Sequence, residues 1–293
     1  MSPPARRAPT FPLRLDQMGA PAKRPVPTAP RKTASATAPA AVTAPKHRDV
    51  LRPQAPLQHA HAAATRRAAP SGLGLDSADV RLRMARRLQA AGLHHPAVLD
   101  ALASVPRHLF VDAALVTQAY EDTSLPIGHG QTISKPSVVA RMLELLMSGA
   151  NARAAASLGR VLEVGTGCGY QAALLSLLAR HVISVERLKP LHDKAREMLA
   201  PLRAGNVRLV YGDGMLGHPP NAPYDSIIAA AGGDSLPQAW LDQLAVGGRL
   251  VSPLRRPGSQ HQVLVVVDRT ERGCEHSVHE SVNFVPLKSG LVG

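Results

Sequence analysis

From Arg160 onward, short apolar runs alternate with longer amphipathic segments, and this alternation is the feature that most limits the fold. The apolar runs are VLEV, HVISVE, VRLVYGD, YDSIIAAA and GRLVSPL, and the amphipathic segments include QAALLSLLAR, LKPLHDKAREMLAPL and PQAWLDQLAV. Strands that alternate with helices form a mostly parallel sheet with helices on both faces. We therefore predict an α/β fold with a doubly wound sheet. QVLVVVDRT and HESVNFVPL are predicted as closing strands, with antiparallel pairing as an option.

The region before the sheet is predicted to be mainly helical. VRLRMARRLQAAGL has helical periodicity that Gly92 ends, a second helix runs from about Pro96 to Val105, and a third begins at Pro136. RHLFVDAALVTQAY is predicted to be partly helical, and EDTSLPIGHGQTIS, rich in turn-forming residues, is predicted to be a loop. We place the folded domain at residues 78–293, with the helices before residue 160 and the sheet after it.

Residues 1–77 are predicted to be a disordered tail rich in Pro, Ala and Arg. Up to residue 76, twelve Lys or Arg stand against three Asp, so this segment carries +9 of the chain's net +13, and it holds 13 of the 26 prolines. Such a composition cannot bury enough apolar surface to offset the entropy of ordering. The basic charge describes the tail more than the domain, so we expect no nucleic-acid binding beyond weak tail contacts.

Cysteine and hydropathy patterns indicate the cellular compartment and whether a metal or a membrane span is expected. Cys168 and Cys274, without a CxxC pair, make neither a disulfide framework nor a zinc motif, and the histidines lack metal-ligand spacing. There is no run of 18 apolar residues and no apolar core of a signal peptide. We expect a cytoplasmic protein without a metal or a membrane span. An organelle transit peptide is the alternative for the N-terminus.

The segment VLEVGTGCGYQ predicts a nucleoside-binding turn between the first strand and the following helix. A dinucleotide fingerprint needs Gly at its first, third and sixth positions, whereas Gly165, Gly167 and Gly169 occupy the first, third and fifth and Tyr170 the sixth. A bulky side chain at the helix start disfavours a pyrophosphate, and no Lys-Ser or Lys-Thr pair follows as in a P-loop. An ordinary tight turn is the alternative.

Acidic residues stand at or near the ends of the first three strands. Glu186 closes HVISVE 21 residues after the first glycine of the turn, where a carboxylate can accept hydrogen bonds from ribose hydroxyls; a solvated helix cap is the alternative. Asp213 follows the third strand at the same edge. Glu163 lies inside the first strand and is expected to accept hydrogen bonds from loop amides or a ligand ammonium. Cys168 is predicted to be a loop filler and Trp240 a core residue.

With its E-x-G-x-G-x-G pattern and the later LDQLAVGGRLV, the chain resembles class I S-adenosylmethionine methyltransferases, whose sheet is Rossmann-like. More narrowly, it resembles the protein-L-isoaspartate O-methyltransferases. That resemblance rests on VPRHLFVD, ALVTQAYEDTSLPIGHGQTISKPSVVARMLELL and FVPL, of which LPIGHGQTIS is the most specific part. It runs from about Val80 to Leu291 and leaves out the tail.

The resemblance implies methylation of the carboxylate of L-isoaspartyl residues in damaged proteins, with S-adenosyl-L-methionine as cofactor and repair through a methyl ester and a succinimide. It implies that isoaspartyl-containing proteins and peptides are the partners, that Ser134 is catalytic, and that residues 78–159 include the substrate loop. The implied cofactor-binding residues are Glu163, Gly165, Thr166, Gly167, Gly169, Glu186, Asp213 and Gly214, and the implied substrate-loop residues are Gly130, Gln131, Thr132 and Ile133.

Carboxylate methylation demands little activation of the nucleophile. A free carboxyl has a pKa of roughly 3.5 to 4, so at neutral pH it is already an anion and needs no general base. The Ser134 hydroxyl can orient that anion by a hydrogen bond, while a role as N-cap of the helix that begins at Pro136 is the alternative. His129 is predicted to make packing or hydrogen-bond contacts rather than to catalyse.

Two other functions stay open from the sequence. A methyltransferase of the same fold could act on RNA, a quinone or a small molecule, although AAAGGDSLP lacks the Asn- or Asp-Pro-Pro-aromatic motif of nucleobase methylation. Alternatively, the chain is a non-catalytic binding module whose basic tail binds polyanions. The intact Gly-rich turn and the QTIS segment favour an active enzyme.

Overall fold

The computed structural model describes residues 77–256 and 258–293. The predicted disordered tail lies outside this range apart from Ser77, whose hydroxyl accepts a hydrogen bond from the Val80 amide at 3.3 Å and so caps the first helix. This helix, α1, spans Ala78–Ala90, and Gly92 follows it with φ +103°, a backbone conformation that favours glycine. The capping residue and the glycine fix both ends of α1 locally.

Two of the next three helices are those that the sequence predicts. Helix α2 spans Pro96–Ser104 and α3 spans Pro136–Met147, each with proline in its first turn, and a short α4 at Ala150–Ala155 is unpredicted. RHLFVDAALVTQAY forms two 3₁₀ turns, at Arg107–Phe110 and Ala113–Gln118, which agrees with the prediction of partial helix. No helix in the described part of the chain is long and apolar enough to cross a membrane.

A small hairpin lies where the sequence predicts only a loop. Strand β1, Leu125–Gly128, pairs antiparallel with β2, Gln131–Ile133. The two residues between them, His129 and Gly130, have φ of +53° and +67°, and positive φ at both positions is typical of a tight hairpin turn. The prediction of a loop was wrong because strands of three and four residues give too short an alternation to recognise.

A seven-stranded sheet confirms the predicted α/β fold. Its strands are β3 (Arg160–Val164), β4 (His181–Glu186), β5 (Val207–Tyr211), β6 (Tyr224–Ala229), β7 (Leu244–Arg255), β8 (Gln262–Thr270) and β9 (Gly273–Val282). In space the order is β5-β4-β3-β6-β7-β8-β9; the first five are parallel, and β8 and β9 are added antiparallel. The connecting helices are α5 (Tyr170–Leu178), α6 (Lys189–Leu199) and α7 (Gln238–Gln243).

The predicted bounds of the last strand were wrong. HESVNFVPL was expected to form it, but β9 begins at Gly273 and ends at Val282, and Pro286 forms only an isolated bridge with Gly232. Proline has no amide proton to continue a ladder. The start of β9 escaped prediction because its side chains are almost all exposed, so no apolar alternation marks it.

Successive residues of the parallel strands point into two different apolar layers. Val161 and Val182 pack in the layer that includes buried residues of α3 and α5, and Leu162 and Ile183 pack in the opposite layer around Trp240. Trp240 is fully buried, as predicted for a core residue. With both faces covered, ligands reach the sheet at its edge, and the order changes direction between β3 and β6, where open α/β sheets bind them.

Candidate active site

A cavity of about 270 Å³ opens beyond the carboxyl ends of β3 and β6. Its first wall contains residues 165–168 of the Gly-rich turn (residues 165–169) together with residues 186–188, and its second wall is the β1–β2 hairpin together with Ser134. The third wall is residues 285–288 near the C-terminus. The cavity therefore joins the predicted nucleoside-binding turn to the QTIS segment, although helices α3 and α4 and strand β3 lie between the two in the sequence.

The Gly-rich turn depends on backbone conformations that favour glycine. Gly165, Gly167 and Gly169 have φ of +89°, +57° and +92°. A Cβ at Gly167 would lie 3.2 Å from Ile127 Cδ1 in the hairpin, so a side chain there would press the two walls apart. Gly169 does not line the cavity; a Cβ there would lie 3.3 Å from Leu199, which shows that this glycine lets α5 approach α6.

Glu186 lines the cavity with its carboxylate buried against the Gly-rich turn. Its Oε2 accepts a hydrogen bond from the Gly167 amide at 2.9 Å, and its Oε1 accepts one from the Leu188 amide at 2.9 Å. Glu186 is 5% exposed, so the alternative of a solvated helix cap is wrong. Each carboxylate oxygen can accept a second hydrogen bond, as recognition of ribose hydroxyls requires.

Glu163 lies behind the cavity wall, fully buried within β3. Its Oε2 accepts a hydrogen bond from the Ser184 hydroxyl at 2.5 Å, and that hydroxyl is 2.6 Å from the Thr166 hydroxyl, which lines the cavity. Oε1 makes no hydrogen bond of normal geometry with any described residue. Burial, with the nearby charge of Glu186, raises the Glu163 pKa to about 8 although Ser184 and Gln171 lower it. The loop-amide bond expected of Glu163 is made by Glu186 instead.

Asp213 and Gly214 have different places. Gly214 is buried and lines the cavity, and a Cβ there would lie 2.5 Å from Val164 Cγ1, which explains the glycine. Asp213 does not line the cavity: its Oδ1 accepts a hydrogen bond from the Met215 amide at 2.9 Å and its Oδ2 accepts one from the Gly290 amide at 2.6 Å. Asp213 thus joins the end of β5 to the C-terminal segment.

Ser134 is half-buried and lines the cavity at the end of the hairpin. No hydrogen bond of its hydroxyl is found among the described residues, and its carbonyl accepts one from Arg107 Nη2 at 2.7 Å. The N-cap position of α3 is Lys135, without a side-chain cap, and the Asp122 carboxylate accepts a hydrogen bond from the Ser137 amide at 2.8 Å. The alternative of Ser134 as the N-cap is therefore wrong, and its hydroxyl is free to bind a ligand.

The predicted substrate loop reaches the cavity with three of its four residues. Gln131, Thr132 and Ile133 line the cavity, whereas Gly130 forms the exposed hairpin turn and does not. His129, predicted to make only packing or hydrogen-bond contacts, also lines the cavity, and its carbonyl accepts a hydrogen bond from Gln131 Nε2 at 3.3 Å. The hairpin therefore presents the side chains of β2 to the site.

Sequence reasoning missed Arg107 and assigned no role in the cavity to Tyr170. Arg107 is fully buried and its Nε donates to the Ala119 carbonyl at 2.8 Å, while its Cζ lies 4.7 Å from the centre of the Tyr170 ring. Tyr170 lines the cavity, and burial raises the pKa of its hydroxyl to about 12, so the phenol stays neutral. Arg107 follows a proline within VPRHLFVD, and nothing local shows that such an arginine is buried.

The C-terminal segment, residues 285–293, borders the cavity and is tied to the residues that follow β4. Arg187 donates from Nε to the Gly290 carbonyl at 2.8 Å, and the Lys189 amide donates to the Val292 carbonyl at 2.9 Å. Residues 285–288 line the cavity and include the end of the FVPL segment. That motif, which the sequence marks only by resemblance, therefore contributes a wall.

Comparison with known proteins places the chain among enzymes of one kind. Residues 81–291 match the family model described as protein-L-isoaspartate(D-aspartate) O-methyltransferase. A protein-L-isoaspartate O-methyltransferase of Methylibium petroleiphilum is 58% identical over 291 residues, which cover 99% of each chain. The enzyme of the same name from Leptothrix cholodnii is 61% identical over 241 residues, which cover 82% of this chain and 84% of the relative.

Solved structures agree with the fold. A protein-L-isoaspartate O-methyltransferase structure has a TM-score of 0.64 and 27% identity, covering 72% of this chain and 67% of that one. A Plasmodium falciparum β-aspartate methyltransferase, solved with S-adenosyl-L-homocysteine, has a TM-score of 0.61 and 24% identity, covering 71% of this chain and 98% of that one. At that identity the second likeness shows the fold alone.

Proposed function

The chain belongs to the protein-L-isoaspartate(D-aspartate) O-methyltransferase family, and we propose that the cavity described above is its active site. It is an S-adenosylmethionine-dependent enzyme that methylates the carboxylate of L-isoaspartyl residues in damaged proteins. The assignment of the site rests on the contact between the first two walls of the cavity. Ile127 of the hairpin packs on Gly167 of the Gly-rich turn. The Ile127 carbonyl also accepts a hydrogen bond from Lys194 Nζ at 3.3 Å.

The residues of the first wall fit S-adenosylmethionine, which when bound supplies a methyl group on an electrophilic sulfonium. Gly165 and Gly167 leave room for close approach, and Glu186 accepts hydrogen bonds from the ribose. Glu163, through Ser184, orients the Thr166 hydroxyl beneath the turn. Asp213 acts indirectly by holding the C-terminal segment, and Gly169 by letting α5 pack.

The second wall holds the acceptor. An isoaspartyl residue has a free carboxyl that is ionised at neutral pH, so the chain must orient and desolvate it rather than deprotonate it. Alignment of two reactants can lower a barrier by about 7–11 kcal/mol, and the Ser134 hydroxyl, with no hydrogen-bond partner among the described residues, can donate to one carboxylate oxygen. A neutral hydroxyl orients the anion without neutralising its nucleophilic charge. Gln131, Thr132 and Ile133 form the wall beside it.

The product of this reaction is a methyl ester. It converts to a succinimide, which opens in part to normal aspartate, so isoaspartyl-containing proteins and peptides are the partners and protein repair is the outcome. Action on RNA, a quinone or a small molecule is not favoured, because the relatives that match most of this chain are named for isoaspartate.

Transfer of labelled methyl from S-adenosylmethionine to two matched peptides, one isoaspartyl and one aspartyl, tests the proposal. We expect base-labile label on the isoaspartyl peptide alone. Label on both peptides would contradict the specificity, and label on neither, with cofactor binding intact, would contradict the proposed substrate.

We also propose that the enzyme works in the cytoplasm. The two cysteines of the chain, Cys168 and Cys274, are unpaired, which suits a reducing compartment. Fractionation of the native cells with detection by antibody tests this location, and recovery of the protein outside the cytoplasmic fraction would contradict it.

A further inference from the structure

Arg107 is a fully buried cation beside the acceptor wall. Two of its nitrogens are held by main-chain carbonyls: Nε by Ala119 at 2.8 Å and Nη2 by Ser134 at 2.7 Å. The face of the Tyr170 ring covers its Cζ at 4.7 Å. Every one of these neighbours is formally neutral, so none of them balances the positive charge.

Burying a charge without a counter-ion is costly, and buried charges in proteins are normally paired. No carboxylate forms an ion pair with Arg107 in the described residues. The charge of Asp122 raises the pKa of Arg107, but the Asp122 carboxylate accepts its hydrogen bonds from Ser137 instead. Arg249 shows the usual arrangement: it is also largely buried and donates to a main-chain carbonyl, that of Leu145, but both oxygens of Asp268 accept from it at 2.7 Å. Burial lowers the pKa of Arg107, yet a guanidinium stays protonated in proteins.

Two buried polar atoms at this place interact with each other, which, against the larger effect of burial, raises the pKa of Arg107 and lowers that of Tyr170. Arg107 Nη1 and the Tyr170 hydroxyl oxygen are both buried, and neither makes a hydrogen bond of normal geometry within the described residues. Tyr170 and Ser134, two of the residues that contact Arg107, both line the cavity. The unbalanced charge therefore acts on the cavity across a single layer of side chains, where water cannot screen it fully.

We propose that Arg107 is the positioning residue of the acceptor site: it holds the Ser134 main chain and the Tyr170 ring in place, and its counter-ion is the carboxylate of the bound substrate. This inference rests on the proposed function and deepens it. Arg107 does not touch the reacting atoms. It raises the electrostatic potential of the pocket, so that an ionised acceptor binds in preference to a neutral molecule of the same shape.

The test compares two peptides that differ only in charge. One carries isoaspartate and the other carries isoasparagine, in which an amide replaces the free carboxylate. Their dissociation constants are measured in the presence of S-adenosyl-L-homocysteine, for the wild type, R107M and R107K, with R249M as the matched control for loss of a structural arginine. The affinity for S-adenosyl-L-homocysteine is measured for each variant as well.

In the wild type we expect the isoaspartyl peptide to bind more tightly, and to keep that advantage from low salt to about 0.5 M salt because a buried charge is poorly screened. In R107M the ratio of the two dissociation constants should fall by roughly 10- to 100-fold, the value of a hydrogen bond or charge interaction with an ion. R107K should keep most of the ratio of dissociation constants because it keeps the positive charge. Its kcat should fall, because an ammonium cannot replace the planar guanidinium that holds Ser134.

A ratio unchanged in R107M, or equal affinities for the two peptides in the wild type, would overturn the proposal. A parallel loss of affinity for both peptides and for S-adenosyl-L-homocysteine, as R249M gives if it merely loosens the fold, would assign Arg107 a structural role only. If R107M fails to fold, two other measurements test the proposal. They are the salt dependence of peptide binding by the wild type and the ratio of the two dissociation constants in R107K. Methyl transfer by the wild type reports separately on the proposed function.

Discussion

At the scale of single residues, two carboxylates near the site differ in their burial and in their hydrogen bonds. Glu186 accepts two amide hydrogen bonds at the cavity wall, whereas Glu163, one strand away, is fully buried and keeps one oxygen without a hydrogen bond of normal geometry. The sequence predicts both as cofactor-binding residues. The structure indicates that one can contact a ligand and that the other acts through Ser184 and Thr166.

Replacing Ser134 with alanine should lower kcat by about 10- to 100-fold, because a hydrogen bond to an ionised group contributes roughly 1.5–3 kcal/mol. The affinity for S-adenosyl-L-homocysteine should not change, since the Arg107 bond uses the Ser134 main chain. Steady-state kinetics with an isoaspartyl peptide checks this, and S148A, at the far end of α3, is the matched control. An S134A enzyme with unaltered kcat would show that the hydroxyl takes no part in the reaction.

The Glu163 pKa of about 8, raised chiefly by burial from an ordinary 4.5, predicts a pH dependence of stability. The folded state holds a proton that the unfolded state has released, so the stability of the ligand-free protein should fall as pH rises from about 4.5 to about 8. E163Q should flatten that decline. Denaturant unfolding at several pH values measures it, and curves for E163Q and wild type that run parallel would refute the prediction.

Glu144 provides a control, because its contribution to stability should depend on pH in the opposite direction to that of Glu163. Burial alone would raise the Glu144 pKa, but hydrogen bonds from the amides of His94 and His95, together with Arg141, lower it. A lowered pKa stabilises the fold above the unfolded-state value and loses that contribution as pH falls. E144Q should therefore cost stability near neutral pH and cost less in acid.

At the scale of elements, two segments become walls of the site, of which the sequence predicts one as a loop and the other in part as a strand. The β1–β2 hairpin contacts the Gly-rich turn through Ile127, and the C-terminal segment is tied to the ends of β4 and β5 by Arg187 and Asp213. Both contacts join parts of the chain that are distant in sequence. The walls of the cavity are therefore joined by an apolar contact and by a few hydrogen bonds that involve main-chain atoms.

Asp213→Ala should weaken the binding of S-adenosyl-L-homocysteine about tenfold, because it releases the Gly290 amide and frees the C-terminal segment. Asp213→Asn should lose less, since the amide oxygen can still accept one hydrogen bond. Calorimetric titration of the two variants gives the comparison. Equal affinity in D213A and wild type would mean that this anchor does not shape the site.

At the scale of the whole molecule, the basic charge and the chemistry belong to different parts of the chain. The family model covers residues 81–291, and the described residues that line the cavity all lie within that range. The Methylibium relative aligns over 99% of the chain and so includes most of the segment before residue 77. We therefore predict that any role of the tail lies outside catalysis.

Deletion of residues 1–75 should leave kcat/KM for an isoaspartyl peptide unchanged, because every described residue that lines the cavity is kept. The same deletion should abolish any weak binding to polyanions, and in the full chain that binding should weaken as salt is raised, since phosphate contacts release counterions. Methyl-transfer kinetics and binding to an anionic matrix give the two readouts. A large loss of methyl transfer would refute the predicted domain boundary.

The sequence by itself determined the features that local pattern controls. The alternation after Arg160 predicts the five parallel strands, and glycine spacing predicts the turn after β3, because periodicity and backbone conformation are properties of neighbouring residues. It also predicted that Ser134 and the Gly-rich turn serve one site, although only through a family resemblance.

Only the tertiary structure decided which predicted residues line the cavity and what holds them there. Glu186 and Gly214 line the cavity, whereas Glu163 and Asp213 do not, although all four are predicted as cofactor-binding residues. It also buries Arg107 beneath Ser134, where no carboxylate of the described residues forms an ion pair with it. The physical reason is that burial, counter-ions and closure depend on pairings between distant segments, and a pattern of neighbouring residues carries no information about which distant groups will meet.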